Sequence, residues 1–102
     1  MVQIVENWAE LTGTVQSIGD SDKGADHGLL LLEVEDVADV EGFPNLVRVN
    51  PGEVVPVIVR RDTLERSGVV QGSHVRGRVR RATPSEIFAH ADSFTADEGS
   101  GF

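Results

Sequence analysis

The chain has 102 residues, no cysteine, and a formal net charge of -8 from nine basic and seventeen acidic side chains. This length predicts a single domain with one modest core, and the absence of cysteine excludes disulfides, thiolate metal sites and a cysteine nucleophile. No apolar run approaches the roughly 18 residues of a membrane span, and the first residues lack the parts of a signal peptide, so a cytoplasmic location is expected.

The basic residues are unusual in kind and in position. Eight of the nine are arginine, and such a lysine-poor, acid-rich composition resembles that of proteins from salt-loving organisms. Residues 1–53 hold eleven acidic and two basic side chains, whereas residues 54–102 hold six acidic and seven basic ones. Formal charges of -9 and +1 in the two halves predict one electropositive region on an otherwise acidic body.

Five short strands are expected in chain order. The alternating "AELTGTVQSI" predicts a first strand over about 9–18, and "LLLLEVEDV" predicts a second after the loop "GDSDKGADHG". A short edge strand at 46–49 is a further option. "VVPVIVRR" predicts the third core strand, which either lies at a sheet edge at Pro56 or begins just after it. The fourth is expected over about 73–82, and "SEIFAHADSF" predicts the fifth.

One short helix is expected between the third and fourth strands. The stretch "RDTLERSG" offers Asp62 as an N-terminal cap, Glu65 three residues later as in a capping box, and Gly68 as a left-handed stop. Residues 1–95 are therefore expected to form one barrel domain, and 96–102 a flexible polar tail.

This order of elements matches an OB-fold, an all-β, five-stranded Greek-key barrel with one short helix between strands three and four. Over residues 9–92 the chain resembles the OB-fold nucleic-acid-binding superfamily in its strand pattern, its helix and the entry into strand four at Gly72-Ser73-His74-Val75. The resemblance is specific for architecture, because none of these features is a catalytic or binding signature.

A second resemblance is to small OB-like domains that bind molybdate, carried by "LTGTV" at 11–15 and by residues 57–75. Those domains carry a Ser-Ala-Arg-Asn stretch before the first strand, which supplies part of the oxyanion site. The corresponding residues here are Glu6-Asn7-Trp8-Ala9. A glutamate where an anion should bind disfavours molybdate.

The stretch "VRGRVRRA" at 75–82 carries the main functional signal. In a strand its alternate arginines share one face, and such a stripe either contacts phosphates or forms a cross-strand ladder of salt bridges with Glu86, His90 and Asp92. Aromatic side chains beside it could stack on bases. The residues expected to contact nucleic acid are Arg60, Arg61, Arg76, Arg78, Arg80, Arg81, Trp8 and Phe88.

Other chemistry is not indicated by the sequence. There is no nucleophile motif and no Gly-rich phosphate loop, the three histidines lack metal-ligand spacing, and the loop at 20–28 does not match an EF-hand. A non-catalytic module that binds single-stranded nucleic acid, without cofactor or metal, is therefore expected. The alternative is a protein–protein adaptor with an acidic surface, exposed Leu29 or Leu31, and no nucleic-acid role; Glu33 and Glu35 on strand two favour it because they repel phosphates.

Overall fold

A computed structural model describes residues 7–21, 23–45, 47–83, 86–90 and 93–97 of the chain. These residues form strands and one helix in the following order: β1 (Ala9–Asp20), β2 (His27–Asp39), β3 (Val54–Arg60), α1 (Arg61–Ser67), β4 (His74–Thr83), β5 (Glu86–Ala89) and β6 (Thr95–Asp97).

The first five strands close into a barrel. β1 pairs antiparallel with both β2 and β4, β2 pairs with β3, and β4 pairs with β5. A parallel bridge between Ile58 of β3 and Phe88 of β5 completes the circle. The predicted all-β class, with one helix between the third and fourth strands, is confirmed, and the closed barrel is consistent with an OB-like architecture.

Strand alternation explains the core. On β4, Val75, Gly77 and Val79 point inward and are buried, while the residues between them are exposed. The inward residues of the other strands, together with Leu64 of α1, complete one buried apolar cluster. Leu64 packs so closely on Gly28 of β2 that a Cβ atom there would lie 2.8 Å from the Leu64 Cδ1 atom.

Several predicted boundaries are wrong. β5 ends at Ala89, before the expected end of the fifth strand, and β6 was not predicted; Ala96 and Asp97, assigned to the tail, belong to β6 and pair with β4. The optional edge strand at 46–49 does not form over 47–49. Arg48 adopts a φ of 55°, which breaks an extended strand. Residues 46 and 98–102 lie outside the described residues.

The helix begins and ends by different means. The N-cap residue that precedes it is Arg60, which makes no side-chain cap hydrogen bond, so the capping box predicted from Asp62 is wrong. The Asp62 carboxylate instead pairs with Arg60, with Nε and Oδ1 3.3 Å apart. Gly68 adopts the expected left-handed conformation, with φ at 68°, and its N–H bonds to the carbonyl oxygen of Leu64 at 3.1 Å.

The prediction that β3 lies at a sheet edge at Pro56 is confirmed, because among the described residues the backbone of β3 pairs with β5 only at Ile58.

Candidate nucleic-acid interface

The outer face of β4 carries a row of basic side chains, which we call the arginine stripe: Arg76, Arg78 and Arg80. All three are exposed, because side chains alternate along the strand and the residues between them point into the barrel core. Alternate residues of a strand lie roughly 6.6–6.8 Å apart. The stripe therefore presents three guanidinium groups in line at a regular interval.

No described carboxylate lies within 4.0 Å of a guanidinium nitrogen of the arginine stripe. On the β1 side, Arg76 lies opposite Thr12 and Arg78 lies opposite Glu10, which share a face without forming an ion pair. Glu86, a predicted ladder partner, instead binds Lys23, with Nζ and Oε2 2.5 Å apart. Asp92, the other predicted acid, lies outside the described residues. Within the described part of the chain, the salt-bridge ladder does not form.

An aromatic ring borders the stripe on the side of β5. Phe88 pairs directly with Arg80, and the Arg80 guanidinium carbon lies 5.9 Å from the centre of the Phe88 ring. This separation is within the range of a cation–π contact. The Phe88 ring is half-buried, so one part of it is available to a ligand beside the stripe.

Trp8 lies just before β1 and packs against His90. The two rings meet edge to face at 71°, with centroids 5.2 Å apart. The Trp8 backbone N–H donates to the carbonyl oxygen of Pro44 at 3.2 Å, and that of His90 donates to the carbonyl oxygen of Arg78 at 2.8 Å. Trp8 is thus half-buried near one end of the stripe, and its ring packs against His90.

Arg81 points away from the stripe and has a structural role. Its Nη2 atom donates to the carbonyl oxygen of Val47 at 2.5 Å. The buried side chain of Asn7 bonds both to the N–H of Arg81, at 2.9 Å, and to its carbonyl oxygen, at 3.1 Å. These bonds attach the segment before β1 and the 47–50 loop to β4.

Arg60 and Arg61 lie at the junction of β3 and α1, and each meets a carboxylate. The hydrogen bond from Arg60 and then its charge hold the pKa of Asp62 below its ordinary value, and the same pair raises the pKa of Arg60. Arg61 bonds through Nε to the carbonyl oxygen of Ala25 at 2.7 Å and through Nη2 to Asp20. Arg61 therefore holds the β1–β2 loop in place.

His74 lies two residues before Arg76 on the same face of β4 and belongs to a polar network that the sequence did not predict. His74 Nε2 lies 2.6 Å from Glu35 Oε1, and Thr14 donates to the other oxygen of Glu35 at 2.6 Å. The Thr14 hydrogen bond, followed by the His74 hydrogen bond, lowers the pKa of Glu35. The partners are 21 and 39 residues from Glu35 in sequence, so no local motif could have indicated this network.

The described residues contain no group of three histidine, aspartate or glutamate side chains placed to hold a metal ion. In the 20–28 loop, Asp20 is bound by Arg61, and Asp22 lies outside the described residues. In the same part of the chain, no helix is long and apolar enough to cross a membrane.

No family model matches the chain, and the curated proteins contain no match to it. The fold and the geometry of the stripe therefore carry the functional argument alone.

Proposed function

We propose that this protein is a small, non-catalytic module of the OB-fold nucleic-acid-binding type and that it binds single-stranded nucleic acid along the outer face of β4. The observation that carries the proposal is the arginine stripe, because its exposed guanidinium groups have no carboxylate partner among the described residues. Because these arginines form no ion pairs with the described carboxylates of the protein itself, their positive charge is available to an anionic polymer such as nucleic acid.

The stripe would act mainly through the phosphates. Its regular interval suits successive phosphates of an extended strand, and each guanidinium can donate two parallel hydrogen bonds to one phosphate. Phe88 would stack on a base beside Arg80, which adds affinity without sequence preference. Arg60 lies two residues beyond Ile58 on the outer face of β3. It would also contact the nucleic acid, by exchanging its ion pair with Asp62 for one with a phosphate.

The remaining predicted contacts take supporting roles in this proposal. Arg61 and Arg81 hold the loops beside the barrel, and Trp8 orients His90 next to Arg78. OB-folds commonly bind ligands across strands two and three. Here the carboxylates of Glu33 and Glu35 on β2 repel phosphates, so β4 is the favoured surface.

The test compares two double variants that change the net charge equally. Arg78→Gln/Arg80→Gln removes two stripe cations but keeps part of their carbon stems, whereas Arg48→Gln/Arg66→Gln removes one cation from the 47–50 loop and one from α1. Binding of a fluorescently labelled, mixed-sequence single strand is measured by anisotropy. We expect the stripe variant to bind about tenfold more weakly and the control to stay within about twofold of wild type. Equal losses in both variants would reduce the interaction to general charge and contradict the proposal.

A further inference from the structure

A second surface, on the outer face of β2 and β3, is apolar. We call it the β2–β3 face: Leu29, Leu31, Val54, Pro56 and Ile58. Within it, Leu29 lies opposite Ile58 and Leu31 lies opposite Pro56, while Val54 lies opposite Glu33. These residues alternate with the core residues of both strands, so all of them point out of the barrel.

Packing in the barrel core does not explain why the β2–β3 face is apolar. Leu31 is 37% exposed and Val54 is 51% exposed, and they are among the few large apolar side chains on the described surface. The barrel core is already filled from the opposite side of the same strands, and Ile58, although buried, is not part of the core cluster. Neighbouring exposed apolar residues of this kind often mark interaction sites.

Acidic side chains border one end of the β2–β3 face. Glu33 lies directly opposite Val54, Asp36 follows on β2, and Glu53 precedes Val54 in the chain. Asp36 and Glu53 are exposed. A ligand that covers the apolar residues therefore meets negative charge at this end, which favours lysine or arginine and disfavours phosphate.

We propose that the β2–β3 face is a docking site for a protein segment that carries apolar side chains next to lysine or arginine. The apolar side chains would cover Leu31, Val54 and Pro56, and the cations would meet Glu33 and its acidic neighbours. This site lies on β2 and β3 rather than on β4, with Phe88 of β5 between the two surfaces, and it differs from the arginine stripe in charge, so it does not depend on the proposed function.

The segment would lie across the face rather than add a strand to the sheet. The stretch of β3 around Pro56 is an edge, since the only described bridge from β3 to β5 is at Ile58. Strand addition needs a continuous row of backbone donors and acceptors, and Pro56 lacks the N–H group. Affinity would therefore come from side-chain burial and charge.

The test uses a short synthetic peptide of alternating leucine and lysine as the probe, titrated into ¹⁵N-labelled protein and followed by amide chemical shifts. Matched peptides replace every leucine by serine or every lysine by glutamate. The protein variants are Val54→Lys and, as a control with the same substitution elsewhere, Val70→Lys, because Val70 is 62% exposed. Leu31→Thr provides a second variant without a charge change, and each fold is checked by its amide spectrum.

We expect shifts confined to the β2–β3 face, binding weakened about fivefold or more by Val54→Lys and by Leu31→Thr, and no change beyond about twofold for Val70→Lys. The serine and glutamate peptides should bind much more weakly. Equal binding of the serine peptide, or no shifts on this face, would overturn the proposal. Shifts that move with protein concentration alone would assign the face to a second copy and overturn it as well.

Discussion

Gly13 shows how one residue allows two strands to approach. A Cβ atom at this position would lie against the backbone oxygen of Glu33 and 2.9 Å from the Leu32 Cγ atom. The register between β1 and β2 shifts here, between Thr12 and Gly13. Because the obstacle includes backbone, a side chain cannot be accommodated by a simple change of rotamer.

We therefore predict that Gly13→Ala lowers the free energy of unfolding by about 1–3 kcal/mol, as expected for overpacking. Gly19→Ala is the matched control, since Gly19 lies on the same strand and nothing lies within 4 Å of its Cβ position. Urea denaturation measures both. Similar values for the two variants would mean that β1 and β2 are less tightly joined than described.

Thr63 is a buried polar residue with an unmet hydrogen bond. It is 0% exposed, and its Oγ1 atom has no partner among the described residues. A buried hydroxyl without a partner costs free energy, whereas a methyl group of the same shape does not.

Thr63→Val should accordingly raise the free energy of unfolding by about 1 kcal/mol. The reverse exchange at a core position, Val57→Thr, should lower it by about 1–3 kcal/mol, because Val57 is buried among apolar residues. Thermal and urea unfolding give both values. A loss of stability in Thr63→Val would show that the hydroxyl has an important partner.

At the scale of elements, the network of Thr14, Glu35 and His74 connects three strands of the barrel. Thr14→Val removes the hydrogen bond that does most to lower the pKa of Glu35, so we predict that this pKa rises toward its ordinary value. NMR titration of the carboxyl carbon measures it. Thr12→Val, on the same strand, is the control and should leave it unchanged.

The pH dependence of stability follows from the same shift. The folded-state pKa of Glu35 is lowered, so its contribution is fully present above the unfolded-state pKa and is lost as pH falls through the folded-state pKa. The stability difference between wild type and Thr14→Val should be largest near neutral pH and disappear in the acidic range. A difference that stays constant into strong acid would contradict this assignment.

Glu10 lies opposite Arg78 across the β1–β4 pair without forming an ion pair. The negative charge of Glu10 therefore lowers the electrostatic attraction between Arg78 and a phosphate. We predict that Glu10→Gln increases the affinity for single-stranded nucleic acid by about two- to fivefold, whereas Glu65→Gln on α1, with the same charge change, has a smaller effect. Anisotropy titration measures both, and equal effects would argue against a role for position 10.

Much of the element order could be predicted, because it depends on local pattern. Alternation on β1 and β4 and the apolar stretch of β3 predicted those strands, and Gly68 predicted the end of α1 through its conformational freedom. β6 could not be predicted, since three residues form a strand only because β4 offers them an unpaired edge.

The candidate site was predictable to a similar degree. Alternation placed Arg76, Arg78 and Arg80 on one exposed face, as the structure shows. Partners distant in the sequence could not be predicted: Glu86 binds Lys23, and Arg81 binds the Val47 carbonyl group. These contacts depend on how loops fold over the barrel. They distinguish Arg81, which holds a loop in place, from the arginines of the stripe.

At the scale of the whole molecule, two surfaces of opposite character lie on one barrel. The acidic first half of the chain supplies β1 and β2, and seven of the eight arginines lie in or between β3 and β4, the first of them being Arg60 at the end of β3. With a net charge of -8, the whole molecule repels a nucleic acid at long range while the stripe attracts it locally. Binding should therefore be moderate in strength and sensitive to salt.

The salt dependence of single-strand binding tests the central claim most directly. Each phosphate contact to a single strand contributes about 0.7 to the slope of log affinity against log salt concentration, so a stripe of three arginines predicts a slope of about -2. Arg78→Gln/Arg80→Gln should reduce its magnitude to about 0.7. No binding at low salt, or a slope that this variant leaves unchanged, would show that the arginine stripe is not a phosphate-binding surface.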